Sequence, residues 1–372
     1  MKEIMRQSLR KAVHTIEMPF DVTKRQIKSR FNLYEPIRIL PFRGFGNRKQ
    51  QTILGRVLED RELASASPED AWWKNAGSMI QRFRTDEIAF CRLSGKLSNA
   101  SRDVQTDSEG YFQINFDAEV TSRSNQIWHD VQMEVLDSVT DQEQVTATGK
   151  VLVPPEEAEF GVISDIDDTI LKSSAFDFFQ LVKLSLTQNA FTRTPVPGAA
   201  KFYQRLHRGT AGGGAKNPIF YVSSSAWNIY DLLERFIEFH GFPQGPLLLR
   251  DLGIDSSKLL KSGHNHKLEK IRDIMGYYPE LPFVLIGDSG QRDAWLYREV
   301  AREFPGRVAA IYVHDVRESR RDDVHKIVRE LKSEGVEMLL IQDAHAATRH
   351  AVAQRLIEEE AESVGLEMSP SQ

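Results

Sequence analysis

Two hydrophobic patterns divide the chain. In residues 36–155, short segments of alternating apolar and polar side chains are separated by Gly, Asn, Asp and Ser, and this pattern predicts an antiparallel β-sandwich domain. From residue 156 onward, near-continuous apolar runs alternate with amphipathic stretches. Such runs are typical of parallel strands that helices cover on both faces. Pro154 and Pro155 separate the two patterns, so we place a domain boundary there.

The second pattern predicts an α/β domain over residues 156–345. Its strands are expected at 160–164, 218–223, 283–288, 308–313 and 338–343, and its helices at 226–240, 266–276 and 291–303. Ligands of open parallel sheets bind at the carboxyl ends of the strands. The functional residues are therefore expected at those ends.

Shorter segments flank or interrupt these domains. In the leader, residues 1–35, positions 3–17 have the spacing of a short amphipathic helix with basic side chains, which either lies on a lipid surface or packs on the body. Residues 60–88 interrupt the strand pattern and are expected to be helical or looped. Residues 346–372 predict a C-terminal helix followed by an acidic tail.

Composition narrows the class of protein. With 41% hydrophobic residues among 372, the chain can form two cores and is neither disordered nor fibrous. No uncharged apolar run approaches the roughly 18–20 residues that span a bilayer, and the start lacks the apolar centre of a secretory signal. Cys91 is the single cysteine, which excludes an intrachain disulfide and favours a cytoplasmic location.

The net charge of −5 is unevenly distributed. Residues 1–50 carry twelve basic and four acidic side chains, so their net charge is +8 and the rest of the chain has −13. A basic leader on an acidic body is compatible with peripheral docking on anionic phospholipid, or with a solvated basic arm. Nucleic-acid binding is not expected, because the leader lacks interleaved aromatic side chains.

Acidic residues follow the first predicted strand of the α/β domain. Asp165, Asp167 and Asp168 would repel one another unless a cation or protons neutralised them, and Mg²⁺ prefers such hard oxygen ligands. One carboxylate could attack phosphorus while its neighbour acts as general acid and base. The alternatives are a solvated acidic turn or a calcium loop, but the EF-hand spacing of Gly and Glu is absent.

Other strand ends and one helix start supply complementary groups. Ser223 ends the second strand, where its hydroxyl could hold a phosphoryl oxygen or simply cap the next helix. Asp288 ends the third strand, in a position to bind a metal ion, and Asp293 follows it. Lys267 begins a predicted helix and is a candidate cation for stabilising a transferring phosphoryl group, although a lone lysine there would ordinarily be a surface residue.

These motifs, in this order, resemble those of the haloacid dehalogenase superfamily over roughly residues 159–345. The motifs are DIDDT at 165–169, the strand that ends at Ser223, Lys267, and GDSGQRD at 287–293. More narrowly, GVISDIDDTI, YVSSS and LIGDSGQRD resemble the App1-type phosphatidate phosphatases, which are related to the catalytic domain of lipins. The resemblance implies a haloacid dehalogenase-like Rossmannoid sheet and a Mg²⁺-dependent phosphatase that forms an aspartyl-phosphate.

The resemblance also implies roles for individual residues. The catalytic group comprises the nucleophile Asp165, the acid/base Asp167, the phosphate-binding Ser223, and Lys267, for which Lys258, Lys261 and Lys270 compete. Substrate contacts are expected from Thr169, Ser224 and Ser225. The expected Mg²⁺ ligands are Asp165, Asp167 and Asp288, which Asp293 and Ser289 would support without binding the ion.

The sequence is compatible with three functions. The first is a phosphatidate phosphatase at a membrane surface, the second a phosphatase of a soluble or protein phosphomonoester, and the third a non-catalytic phosphatidate-binding module. The presence of both Asp165 and Asp167 disfavours the third. Residues 170–217 are too few for a large cap and predict a helical flap, which either lines an acyl-chain groove or packs in the core.

Other motifs in the chain give weaker signals. Residues 209–214 have the glycine frame of a P-loop, but Ala215 stands where that motif requires Lys. His264 and His266 suggest a metal pair without a third ligand at a known spacing. Trp72-Trp73 is either a packing pair or an interfacial anchor.

Overall fold

Two sheets and six helices make up the part of the chain that the computed structural model describes. The described residues are 36–59, 87–123, 126–138, 142, 144–167, 169–170, 196–210, 216–250 and 263–359. They form a mixed α/β protein, as the hydrophobic patterns predict. Within these ranges, no helix is both long and apolar enough to cross a membrane.

Several predicted features lie outside the described residues. They are the leader helix, most of the interruption at 60–88 with Trp72 and Trp73, most of the flap at 170–217, the acidic tail, Asp168, Lys258, Lys261 and the side chain of His264. The domain boundaries at residues 35, 155 and 345 also stay predictions.

The first sheet contains eight strands. They are β1 (Ile37–Pro41), β2 (Gly44–Gly46), β3 (Gln51–Glu59), β4 (Arg92–Leu97), β5 (Ala100–Gln105), β6 (Tyr111–Phe116), β7 (Trp128–Val135) and β8 (Thr146–Leu152). Their order is β1-β3-β2-β8-β7-β4-β5, with β6 on β3, and the pairs are antiparallel except β2 with β8. Because the long β3 pairs with β1, β2 and β6, hydrogen bonds join all eight strands in one network. Side chains of β3 and β6 nevertheless face those of β4, β7 and β8 in one apolar core, and the predicted sandwich stays a prediction.

The second sheet is parallel throughout. Its strands are β9 (Gly161–Asp165), β10 (Ile219–Ala226), β11 (Leu247–Arg250), β12 (Phe283–Asp288), β13 (Val308–His314) and β14 (Met338–Ile341). The order is β11-β10-β9-β12-β13-β14. The five predicted strands are confirmed, and β11 was not predicted because its apolar run is too short to give a pattern.

Helices cover both faces of the parallel sheet. They are α1 (Ala199–Arg208), α2 (Tyr230–Phe239), α3 (Gly263–Tyr277), α4 (Asp293–Glu303), α5 (Arg321–Ser333) and α6 (Ala344–Ala353). Helices α1, α2 and α6 pack in one apolar core with side chains such as Val162 and Tyr312. Helices α3, α4 and α5 pack in the other core with side chains such as Ile163 and Ile311. The alternation of side-chain direction along each strand thus divides the apolar runs between two cores.

The segment 42–47 of the first sheet enters both of these cores. Phe42 stacks on Trp227 with ring centroids 4.6 Å apart, and Phe45 meets Phe220 edge-on at 5.7 Å on the other face. Hydrogen bonds accompany these contacts, since the Tyr278 hydroxyl donates to the Gly46 carbonyl at 3.0 Å. The first sheet is therefore part of the packing that holds α2 and α3 in place.

Candidate active site

The predicted functional side chains meet at the carboxyl edge of the parallel sheet. Strands β9, β10 and β12 are neighbours and run in the same direction, so Asp165, Ser223 and Asp288 lie near one another. Lys267 comes from the first turns of α3, and Asp293 is the first residue of α4. Each of these five residues is at most 5% exposed.

Lys267 lies among the acidic groups. Its Nζ is 2.7 Å from Asp165 Oδ1 and 3.0 Å from Asp293 Oδ1, and it donates to Gln291 Oε1 at 2.9 Å. Burial disfavours the ammonium form, but the two carboxylates outweigh burial and raise the pKa of Lys267 above its usual value. Lys267 is therefore a buried cation. The catalytic role expected of Lys267, in preference to Lys270, requires such a cation.

Three carboxylates form a cluster with the spacing of a metal site. Asp165, Asp288 and Asp293 each offer an oxygen atom, and these atoms lie within 4.8 Å of one another. Burial raises the pKa of Asp165 well above its usual value, although Lys267 opposes this shift. Asp165 Oδ2 is buried without a hydrogen-bond partner among the described residues. Three hard carboxylates, with one ammonium beside two of them, fit a divalent cation such as Mg²⁺.

The composition of this cluster differs from the expected ligand set of Asp165, Asp167 and Asp288. Asp293 takes the third position because it begins α4 directly beside the end of β12, where its Oδ2 accepts the Asp288 N–H at 3.2 Å. Asp167 instead faces Ser223. The assignment of Mg²⁺ itself stays a proposal.

Asp167 and Ser223 form a separate pair. The Ser223 hydroxyl donates to Asp167 Oδ2 at 3.0 Å and accepts the Ser225 N–H at 3.0 Å. Ser223 therefore orients Asp167, whereas the resemblance implies a contact with phosphate. Burial raises the pKa of Asp167, while Lys267 and the Ser223 hydrogen bond oppose the increase.

The remaining predicted substrate contacts lie nearby. Thr169 is buried, and its Oγ1 has no hydrogen-bond partner among the described residues. Ser224 and Ser225 are half-buried at the end of β10. The roles expected of these three residues stay predictions.

The loop after β12 is held from two sides. The Gln291 N–H donates to Asp288 Oδ1 at 2.8 Å. Ser289 Oγ accepts the N–H groups of Val316 and Arg317 at 3.0 Å each, which fastens the loop to the segment that follows β13. Ser289 thus supports the loop backbone.

Two residues of the site were missed from the sequence. Gln291 carries no charge, so nothing in its residue type indicates a contact with Lys267. Gly287 matters through the side chain it lacks, because a Cβ there would lie 2.5 Å from Asp293 Oδ2. The only signal for either residue is its place inside the GDSGQRD motif.

His266 does not belong to the carboxylate cluster. Its Nε2 lies 3.2 Å from the Leu249 carbonyl oxygen, and burial lowers its pKa. Among the described residues, the clustered metal-binding side chains are the three aspartates.

Fold and site together define an α/β protein with an acidic centre at the carboxyl edge of a parallel sheet. Residues 160–315 match the family model described as phosphatidate phosphatase APP1, catalytic domain. This match confirms the resemblance drawn from the motifs, since residues 160–315 are similar to an APP1-type catalytic domain.

Two curated relatives match parts of this chain. Phosphatidate phosphatase APP1 of Saccharomyces cerevisiae is 32% identical over 167 residues, which are 44% of this chain and 27% of the yeast protein. An uncharacterised protein of Schizosaccharomyces pombe is 22% identical over 265 residues, which are 68% of this chain and 42% of that protein. The matches therefore span less than half of the length of either relative.

A solved structure also aligns with the chain, but loosely. It is a carbohydrate acetylesterase from Xanthomonas citri, with a TM-score of 0.25 and 11% identity over 76% of this chain and 71% of that one. So low a score supports no conclusion about fold or function.

Proposed function

We propose that this protein is a Mg²⁺-dependent phosphatidate phosphatase that releases diacylglycerol and phosphate through an aspartyl-phosphate on Asp165. The observation that carries the proposal is the ion pair between Asp165 and Lys267, at 2.7 Å, within an APP1-type catalytic domain. The motif order and the parallel sheet also support a haloacid dehalogenase-like fold. The substrate class follows from the names of the family and of the yeast relative.

In the first step, a carboxylate oxygen of Asp165 attacks phosphorus. A bond forms between that oxygen and phosphorus while the bond from phosphorus to the leaving oxygen breaks. Asp167, oriented by Ser223, donates a proton to the leaving oxygen and so releases the alcohol. Lys267 remains a cation beside Asp165 and stabilises the negative charge that develops on the phosphoryl oxygens.

In the second step, water attacks the phosphorus of the aspartyl-phosphate. Asp167, now deprotonated, accepts a proton from that water, and the bond between phosphorus and Asp165 breaks. Phosphate leaves, and both carboxyl groups return to their starting states. Asp165, Asp288 and Asp293 would hold Mg²⁺, which neutralises charge on the phosphoryl oxygens when it is bound.

Cytoplasmic location and peripheral membrane contact also belong to the proposal. They are supported by the basic leader, residues 1–35, and by the single cysteine. A phosphatase that acts on soluble or protein phosphomonoesters would use the same chemistry. The two substrate classes therefore have to be separated by assay.

The test is phosphate release by the full chain from phosphatidate vesicles and from a panel of soluble phosphomonoesters, with Mg²⁺ or EDTA. We expect turnover of phosphatidate with Mg²⁺, no turnover with EDTA, and no turnover by Asp165→Asn. Asp167→Asn should lower kcat by about 10²–10⁴-fold, the usual contribution of general acid–base catalysis. Asp130→Asn is a matched control, because Asp130 is exposed on β7 of the first sheet.

Three outcomes would contradict parts of the proposal. An active Asp165→Asn enzyme excludes the aspartyl-phosphate, and faster turnover of a soluble ester excludes phosphatidate as the preferred substrate. Vesicle binding without phosphate release under any divalent metal ion would leave a lipid-binding module.

A further inference from the structure

Gln291 is fixed at its backbone beside the carboxylate cluster. It lies in the loop between β12 and α4, where its N–H donates to Asp288 Oδ1 at 2.8 Å. Its carbonyl oxygen accepts a hydrogen bond from Arg320 Nη1. The backbone of Gln291 is therefore held by hydrogen bonds at both its N–H and its carbonyl group.

The orientation of the Gln291 amide follows from its contact with Lys267. An ammonium group can only donate, so the amide atom that lies 2.9 Å from Lys267 Nζ must be Oε1. Exchange of the amide oxygen and nitrogen would place two donors against each other. Nε2 is thereby fixed as the group that is turned away from Lys267.

Nε2 of Gln291 is buried and has no hydrogen-bond partner among the described residues. Buried donors in folded proteins are nearly always paired, so a fixed and unpaired amide donor in an active site marks a position for a ligand acceptor. Only the ammonium of Lys267 lies between the Gln291 amide and Asp165, since Lys267 contacts both side chains. A phosphoryl group bound at the nucleophile would therefore lie in the neighbourhood of the Gln291 amide group.

Lys267 has no N–H group left to donate to such a ligand. Its three N–H groups already face Asp165 Oδ1, Asp293 Oδ1 and Gln291 Oε1. A phosphoryl group that enters this acidic site consequently needs a further donor. The amide supplies one without adding a charge that would compete for the carboxylates.

We propose that Gln291 binds substrate, with Nε2 donating to a non-bridging oxygen of the phosphoryl group while Oε1 positions Lys267. The inference rests on the proposed phosphatase function and deepens it. It assigns to the chain a phosphate-binding group in place of the hydroxyl of Ser223, which is engaged with Asp167.

The test uses two variants of the full chain that lose different contacts of the Gln291 side chain. Gln291→Glu keeps an acceptor for Lys267 but replaces the amide donor with a carboxylate, and Gln291→Leu removes both contacts. Gln244→Leu is the matched control, because Gln244 is an exposed glutamine between α2 and β11. The probes are calorimetric binding of inorganic phosphate in saturating Mg²⁺, and kcat and KM for p-nitrophenyl phosphate.

We expect both Gln291 variants to bind phosphate about 10- to 100-fold more weakly, the range for one hydrogen bond to a charged group. KM should rise in both variants. Only Gln291→Leu should also lower kcat substantially, because only that variant leaves Lys267 without its third acceptor. Gln244→Leu should match the wild type in all three quantities.

Equal phosphate affinity in the wild type and both Gln291 variants would overturn the inference, as would the absence of phosphate binding by the wild type. Weaker binding by Gln291→Leu, which adds no charge, would support it even if Gln291→Glu failed to fold. Phosphate binding by the wild type without turnover of any ester would defeat the proposed function, yet the affinities would still decide the role of Gln291.

Discussion

Lys267 compensates the buried carboxylates around it. Its ammonium lies within 3.0 Å of oxygens of Asp165 and Asp293, and it is 5% exposed. Removal of one member of a buried ion pair leaves an uncompensated charge in a medium that solvates it poorly. The lysine should therefore contribute to stability as well as to chemistry.

We predict that Lys267→Met lowers the free energy of unfolding by about 3–5 kcal/mol, the usual cost of breaking a buried ion pair. Urea unfolding measures the change. Lys270→Met is the control, because Lys270 lies one turn further along α3 and is only half-buried. Mg²⁺ should raise the midpoint of Lys267→Met more than that of the wild type, since a bound cation restores part of the missing charge. Equal losses in the two variants would contradict this account.

Gly287 allows Asp293 to approach the end of β12. A Cβ at this position would lie 2.5 Å from Asp293 Oδ2 and 2.9 Å from Tyr297 Cε2. Asp293 also holds Lys267, so displacement of its carboxylate reaches the nucleophile through one intermediate side chain.

Gly287→Ala should therefore destabilise the protein by about 1–3 kcal/mol, a typical cost of overpacking, and should lower kcat. Gly276→Ala makes the same change in the last turn of α3, where nothing lies within 4 Å of an added Cβ. We expect this control to be neutral or to stabilise by up to about 1 kcal/mol, because alanine favours helices. Thermal unfolding measures the change in stability of both variants, and steady-state rates measure the change in kcat. An unchanged kcat in Gly287→Ala would show that Asp293 tolerates displacement.

At the scale of elements, the predicted strands are those with a strong hydrophobic signal. β9 and β12 are buried along their whole length, so their apolar runs are continuous. The polar β5 was missed because none of its side chains is fully buried, and it therefore carries no alternating pattern. Strand assignment from sequence thus depends on burial against a core.

The same reasoning explains which parts of the site were predictable. Asp165 and Asp288 end parallel strands, so chain order alone brings them to one edge of the sheet. The pairing of Ser223 with Asp167, and the approach of Asp293 to Lys267, depend on the directions of individual side chains. Strand ends can be predicted from a pattern, whereas side-chain directions require the packed structure.

The segment 42–47 joins the two sheets. Phe42 is 2% exposed and packs against Trp227 and Tyr230, whose ring centroids are 4.6 Å and 4.4 Å away. Trp227 directly follows β10, which carries Ser223. Packing of the first sheet therefore bears on the strand that orients Asp167.

Phe42→Ala should cost about 3–5 kcal/mol in stability, the usual effect of truncating a buried aromatic side chain. The same change at Phe90, which is 62% exposed, is the control and should shift stability by less than about 0.5 kcal/mol. Urea unfolding of the two variants measures the difference. If Phe42→Ala unfolds at the wild-type midpoint, the contact between the sheets contributes nothing to stability.

On the scale of the whole molecule, the two sheets share apolar cores. Phe42 belongs to the core on one face of the parallel sheet, and Phe45 belongs to the core on the other face. Opening either core therefore removes a contact that the first sheet needs. We infer that the described parts of the two sheets unfold together.

Cys91 reports on the first sheet in a test of this inference. The thiol is 2% exposed, and burial raises its pKa to about 12, so it should resist labelling with iodoacetamide at pH 8 until its surroundings unfold. Lys267→Met perturbs only the second sheet. In a two-state protein it should nevertheless lower the urea midpoint of Cys91 labelling by as much as it lowers the midpoint of tyrosine and tryptophan fluorescence. If the labelling midpoint stays at the wild-type value while the fluorescence midpoint falls, the two sheets unfold independently, and the contacts of Phe42 and Phe45 do not couple them.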